Sequence, residues 1–133
     1  MPITLAAAQK VVNEIVQQVL THPSGRKAIV VVSDSHGEVI ALARMDGAPL
    51  SSLPLAQNKA YTAARAARPS KQMGIDQASG VNLANFGDAR LTGFGGGVPV
   101  YSGNEIIGAV GISGLAEEDD IVLATWAAEQ LGS

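Results

Sequence analysis

The amino-acid sequence predicts an α+β domain in which one antiparallel sheet is covered by helices. Three observations support this prediction. The segments follow the order helix, hairpin, two helices, hairpin, helix, and antiparallel hairpins interrupted by helices are typical of α+β domains. The apolar run that begins the first hairpin suits a central strand covered on both sides. The length of 133 residues fits one core, so a single domain is expected over residues 1–133.

The first half of the chain contains one helix and one hairpin. Thr4 is a good N-cap, and apolar residues recur at three- and four-residue steps over residues 5–20, which predicts an amphipathic helix. Pro23 and Gly25 then stop helix growth. The β-branched run at 28–32 and the segment 38–44 flank a turn that contains Asp and Gly, so they form a hairpin.

The second half begins with a helix that starts at Ser51-Ser52-Leu53-Pro54 and ends at Arg68-Pro69. Its many alanines predict that it packs tightly on the sheet. A short helix over 71–78 and an irregular connection follow. The second hairpin joins 98–101 to 105–112, and the last helix follows an acidic run. Four strands, with a fifth around residues 90–92, suit a profilin-like or PAS-like sheet.

Composition excludes several classes of protein. Hydrophobic residues make up 47% of the chain but aromatic residues only 4%, and alanine supplies much of the apolar content. A small domain cannot bury so much apolar surface internally, which predicts a homo-oligomer. The net charge of −3 and the absence of a basic run argue against nucleic-acid binding. No stretch of about 18 apolar residues and no signal peptide are visible, so we expect a cytoplasmic protein without membrane contact.

The most unusual stretch is the glycine cluster at residues 93–97, which leads into a strand. Glycine is expected where backbones approach closely or take left-handed dihedrals. Two interpretations are equally weighted. The amides of Gly95, Gly96 and Gly97 form a concave nest for a carboxylate or phosphate, or the glycines serve only a tight turn between strands.

Two cations are candidates for a site near that cluster. Lys59 lies in the middle of the alanine-rich helix, with Thr62 three residues on and nearly on the same face. The alternative is a solvated lysine whose stem lies across the helix surface. Arg44 ends the second strand and offers planar donors for an anion, but a simple exposed pair with Asp46 explains it equally well.

Metal or haem ligation has few candidates. His22 lies near a helix end, and imidazole is a versatile ligand, although a lone His beside Pro is more often solvated. Glu118 and Asp119 belong to an acidic run at 117–120 that is a weak candidate for a hard cation, without EF-hand spacing. Stabilisation of the helix dipole explains this run without a metal.

Four motifs in order resemble the GlcG/HbpS-like family over the whole chain. They are Ala-Leu-Ala-Arg-Met-Asp-Gly-Ala-Pro at 41–49, Lys-Ala-Tyr-Thr-Ala at 59–63, Gly-Gly-Gly-Val-Pro at 95–99, and Ile-Gly-Ala-Val-Gly-Ile-Ser-Gly at 107–114 followed by acids. The family includes haem-binding proteins, and the same domain is attached to PduO-type corrinoid adenosyltransferases. The resemblance implies a profilin-like fold of about five strands with helices on both faces, a tetramer or octamer, and an accessory role in catabolism.

The resemblance carries its motif residues onto this chain as a ligand-binding set. The set comprises Arg44, Asp46, Lys59, Thr62, Gly95, Gly96, Gly97 and Pro99. No axial haem ligand carries over, because the chain has only two histidines, and His36 sits in a polar turn. With so few aromatic residues, a haem slot would have aliphatic and Met lining, which counts mildly against haem as the natural ligand.

Two classes of function remain open. The first is an oligomeric binding protein for haem, a corrinoid or a small organic anion. The second is a cofactor-free isomerase, hydratase or lyase acting on an enol or keto acid. There Lys59 is the acid or base, and Arg44 with the glycine amides stabilises negative charge. The sequence shows no nucleophile–base–orienter set, so it does not decide whether the protein is an enzyme.

Overall fold

The computed structural model describes residues 2–133 and contains four helices, one short 3₁₀ turn at Leu83–Phe86 and four strands. The helices are α1 (Leu5–Leu20), α2 (Ser52–Ala66), α3 (Ser70–Ala78) and α4 (Glu117–Leu131). The strands are β1 (Ile29–Asp34), β2 (Val39–Arg44), β3 (Gly97–Ser102) and β4 (Glu105–Ser113). The predicted helices and hairpins are therefore confirmed, and α1 begins as expected with the Thr4 hydroxyl accepting from the Ala7 amide at 3.1 Å.

All strand pairs are antiparallel, in the order β2-β1-β4-β3. The α+β class is confirmed, but the expectation of about five strands is wrong. Residues 90–92 do not join the sheet, and the Thr92 amide donates instead to the Thr62 hydroxyl at 3.0 Å. The profilin-like topology stays a prediction.

Strand β1 is covered on both faces, as its apolar sequence predicts. Val30 and Val32 pack in the cluster with α1 and α4, whereas Ile29 and Val31 pack with the alanines of α2. All four valine and isoleucine side chains are fully buried. The helices thus divide between the two faces of the sheet.

Helix α2 lies unusually close to β4. A Cβ added to Gly111 would lie 2.1 Å from the Ala56 carbonyl oxygen and 3.1 Å from the Ala60 side chain. Gly111 therefore permits α2 to approach the sheet where any side chain would collide. Most of the alanine side chains of α2, which suggested subunit contacts, are buried within this one chain.

The connection between α3 and the glycine cluster is anchored on α2. The Tyr61 hydroxyl donates to Asp88 at 2.6 Å, and the Arg90 guanidinium lies 3.9 Å from the centre of the Tyr61 ring. Arg90 also pairs with Glu38 at 2.7 Å. These contacts fix the irregular segment on α2 and so position the glycine cluster beside the sheet.

Within residues 2–133, every helix is too short or too polar for a membrane span.

Candidate functional site

Lys59 is buried in the centre of the molecule, with 3% of its surface exposed. Its ammonium donates to the Ile112 carbonyl oxygen at 2.8 Å and to Asp120 Oδ2 at 3.3 Å. Asp120, in the first turn of α4, is 2% exposed, and its Oδ1 accepts from the Leu115 amide at 3.2 Å. The alternative of a solvated lysine is therefore wrong, because Lys59 links α2, β4 and α4 through a buried ion pair.

Burial disfavours the charged form of both partners. Desolvation lowers the pKa of Lys59, although the nearby Asp120 and Glu117 carboxylates oppose this shift. Desolvation raises the pKa of Asp120 to about 6, against the opposing charge of Lys59. Opposite shifts of this kind occur in structural ion pairs and also where acid and base groups act on a ligand.

The glycine cluster packs directly against this pair. A Cβ on Gly96 would lie 3.0 Å from Lys59 Nζ and 2.5 Å from the Ile112 carbonyl oxygen. A Cβ on Gly97 would lie 2.1 Å from the Lys59 carbonyl oxygen. The glycines at these positions permit backbone and ammonium to approach where any side chain would collide.

The amides of the cluster already have acceptors within the chain. Gly95 N–H donates to Glu117 Oε2 at 2.8 Å, and Gly97 N–H donates to the Ser70 hydroxyl at 2.9 Å. The other Glu117 oxygen pairs with Lys71 at 2.7 Å. The cluster therefore holds a carboxylate that belongs to the protein itself, and two of its three central amides are occupied.

A cavity of about 240 Å³ opens beside the buried pair. Its polar wall includes Arg26, Ser52 and Ser113 in addition to Lys59 and Asp120. The Ser113 hydroxyl donates to the Ser52 hydroxyl at 3.1 Å. Phe94, Gly95 and Glu117 line the same space, so the glycine cluster borders it. The cavity thus combines cationic, anionic and hydroxyl groups in a small volume.

Other predicted ligand-binding residues lie outside this cavity. Arg44 and Asp46 are exposed at the end of β2 and do not line it. Thr62 is fully buried and holds the Thr92 amide, while Pro99 is buried in β3 opposite Ala109. One chain therefore brings Lys59 and the glycine cluster together but does not bring Arg44 to them.

The metal candidates do not converge. Within residues 2–133, no three side chains from His, Asp and Glu approach closely enough to hold a metal ion. His22 Nε2 lies 3.6 Å from Asp119 Oδ2, and its Nδ1 lies 2.7 Å from the Ser24 hydroxyl. Glu118 and His36 are exposed.

Sequence reasoning missed Arg26, Ser52 and Asp120. For Asp120 a signal existed, because Glu117 and Asp120 are three residues apart and so share one face of α4. That face turns towards the glycine cluster and the lysine. Arg26 and Ser52 carried no comparable signal, since both lie in polar segments whose place in the fold depends on long-range packing.

Comparison with known proteins places the chain in a family. The profile of the family described as "Haem degrading protein HbpS-like" matches residues 3–129, so the chain belongs to this HbpS-like family. The resemblance inferred from the four motifs is confirmed.

Individual relatives are similar over much of their length. An uncharacterized 15.0 kDa protein from the dhaT-dhaS intergenic region of Citrobacter freundii is 34% identical over 92% of this chain and 87% of its own. Protein GlcG of Escherichia coli is 39% identical over 63% of this chain and 62% of its own.

Solved structures share the fold. A double mutant of HbpS from Streptomyces reticuli is 27% identical, with a TM-score of 0.87 over 100% of this chain and 89% of that one. A complex of PduOC with haem is 26% identical, with a TM-score of 0.82 over 98% of this chain and 95% of that one.

Proposed function

We propose that this protein is an oligomeric small-ligand-binding protein, and that haem is the first ligand to test. The observation that supports haem is the likeness of nearly the whole chain to the PduOC–haem complex. Membership in the HbpS-like family supports the same function. The enzymatic alternative stays a prediction, since the Lys59–Asp120 pair has shifted pKa values but no known substrate.

Haem does not suit the cavity beside Lys59. Pockets that enclose drug-sized ligands span roughly 300–1,000 Å³, and this cavity of about 240 Å³ falls below that range. A second cavity of about 520 Å³ lies beside α2 and α3. Met73, Phe86 and Leu91 supply its apolar lining, and Arg65 and Arg68 also line it.

These residues fit a haem group chemically. The apolar side chains would contact the macrocycle, and the two guanidiniums would offer donors to its carboxylates, with Arg68 exchanging its present partner Asp76. Met is a known axial ligand of haem iron, and the sulfur of this lining belongs to Met73. This sulfur is buried and accepts from Arg68 at 3.3 Å, so it would have to be released to bind iron. The lining contains Met and aliphatic residues, as expected for a haem slot in this chain, but it also contains the aromatic Phe86. Neither His22 nor His36 reaches this cavity.

A haem titration of the purified protein tests the proposal. We expect a saturable Soret band, and we expect Met73→Leu to shift it, because leucine keeps the apolar volume but removes the sulfur. His22→Ala and His36→Ala are the matched controls and should leave the spectrum unchanged. Loss of the band in His22→Ala with no change in Met73→Leu would return the axial ligand to the histidine predicted from sequence. Absence of saturable binding would contradict the haem proposal.

A further inference from the structure

The charges around the cavity beside Lys59 leave one cation uncompensated. Arg26, Lys59, Glu117 and Asp120 are the charged residues that line it. Lys59 pairs with Asp120, and Glu117 pairs with Lys71 outside the cavity. The Arg26 side chain is exposed and has no acidic partner within 4.0 Å among residues 2–133, and its charge opposes the rise in the pKa of Asp120 that burial causes. A ligand with a single negative charge would balance the cavity.

Two further donors in the cavity lack an acceptor among the described residues. The Lys59 ammonium has three N–H groups, and the structure assigns acceptors to two of them. The Ser52 hydroxyl accepts from Ser113, and no acceptor is found for its own proton within residues 2–133. Ser52 is only 6% exposed, so its hydroxyl depends on this small space for a partner. Buried donors are normally bonded to protein or to water, so an oxygen of a ligand that entered this space would find two donors available.

The setting of the cavity also favours an anion. Ser52 begins α2, a helix of 15 residues, so the positive end of its dipole lies at this space. The dipole of α4 is already complemented by the four acids of its first turn. The volume of about 240 Å³ suits a small molecule, since a cavity of about 150 Å³ already holds benzene. Phe94 adds an apolar wall.

From these observations we infer that the cavity binds a short monocarboxylate with a hydroxyl or keto oxygen beside its carboxyl group. Arg26 binds the carboxylate, and the free donors of Lys59 and Ser52 bind the second oxygen. This inference rests on the proposed ligand-binding function but concerns a different cavity from the one assigned to haem. It also replaces Arg44 by Arg26 as the arginine of the site.

Isothermal titration calorimetry of the full chain at pH 7 tests the inference by measuring the Kd of pyruvate, lactate and propionate. Propionate has the same number of carbon atoms but lacks the second oxygen. We expect saturable binding of pyruvate or lactate and at least about tenfold weaker binding of propionate, because the two buried donors stay unpaired. Arg26→Gln should weaken the better probe by about tenfold to hundredfold, as expected for loss of one charge-assisted contact.

Three variants make the result specific. Lys10→Gln removes one positive charge from the exposed face of α1 and should leave binding unchanged. Ser52→Ala should reduce the preference for pyruvate or lactate over propionate. Arg44→Gln distinguishes the two arginines, and a loss there equal to that of Arg26→Gln would overturn the inference. Unchanged binding in Arg26→Gln, or no saturable binding of either oxygenated acid, would also overturn it. The haem titration is independent, so either proposal can fail alone.

Discussion

At the scale of single residues, Asp120 decides how Lys59 is accommodated. A lysine inside a protein needs a partner, and removing one member of a buried pair costs about 3–5 kcal/mol because the other charge is left uncompensated. Lys59→Ala would leave the buried Asp120 carboxyl without its cationic partner. That substitution therefore alters stability as well as binding, which makes Arg26 a cleaner test of ligand contacts.

The shifted carboxyl also predicts a pH dependence. The pKa of Asp120 is about 6 in the folded protein and about 3.9 in an unfolded chain. Between these values the folded state holds a proton that the unfolded state has released. The contribution of this group to the free energy of unfolding is therefore largest below about pH 4 and decreases as the pH rises to about 6.

Urea unfolding of the wild type and of Asp120→Asn between pH 4 and 7 measures this effect. The difference in unfolding free energy, wild type minus variant, should fall with rising pH. Asp46→Asn, which removes an exposed carboxylate at the end of β2, is the control and should show no comparable trend. A difference that stays constant over this range would show that Asp120 titrates normally.

At the scale of elements, the glycine cluster joins β3 to the helices that form the site. The cluster contacts Lys59 and Ile112 closely, and its backbone amides donate hydrogen bonds to Glu117 and Ser70. These contacts fix the start of β3 against α2, α3 and α4. The cluster thus positions the wall of the cavity through packing. Of the two interpretations open from sequence, the structure supports tight packing directly, whereas the Gly95 amide of the expected anion nest already donates to Glu117.

Gly97→Ala tests this packing role. The added methyl group would lie 2.1 Å from a backbone oxygen of α2, and a backbone atom cannot move aside as a flexible side chain can. We expect the free energy of unfolding to fall by about 3 kcal/mol, the upper part of the usual range for overpacking. Gly87→Ala is the control, because Gly87 has φ +67° but no atom within 4 Å of the new methyl group, so only about 1–2 kcal/mol of backbone strain applies. Equal losses in the two variants, measured by urea unfolding, would contradict the packing role.

At the scale of the whole molecule, the prediction of a homo-oligomer now rests on different residues. The alanines of α2 are buried inside the chain, whereas Leu50, Val122 and Phe94 are 73%, 64% and 61% exposed. Exposed apolar side chains mark subunit contacts when they form one contiguous patch, whereas single ones are normal on a monomer. Phe94 also borders the candidate cavity, so an interface there would enclose the site.

Sedimentation velocity at micromolar concentration checks the assembly. We expect a single species of four or eight chains, each of 13.6 kDa, as the family resemblance implies. The same measurement on Leu50→Glu, which places a charge at an exposed leucine, shows whether that surface takes part. A wild-type protein that sediments only as a monomer would contradict the prediction.

The sequence by itself determined the α+β class, the positions of helices and hairpins, and the family. These depend on local periodicity, on turn residues such as Asp34 and Gly37, and on motifs that are contiguous along the chain. It also indicated Lys59 and the glycine cluster as neighbours. Only the tertiary structure decided that Asp120 neutralises Lys59, that the Gly95 amide donates to Glu117, and that Arg26 rather than Arg44 faces the cavity. Lys59 and Asp120 are 61 positions apart, so no local sequence pattern specifies that they are partners. They are brought together by packing, and they must pair because an unpaired buried charge is costly.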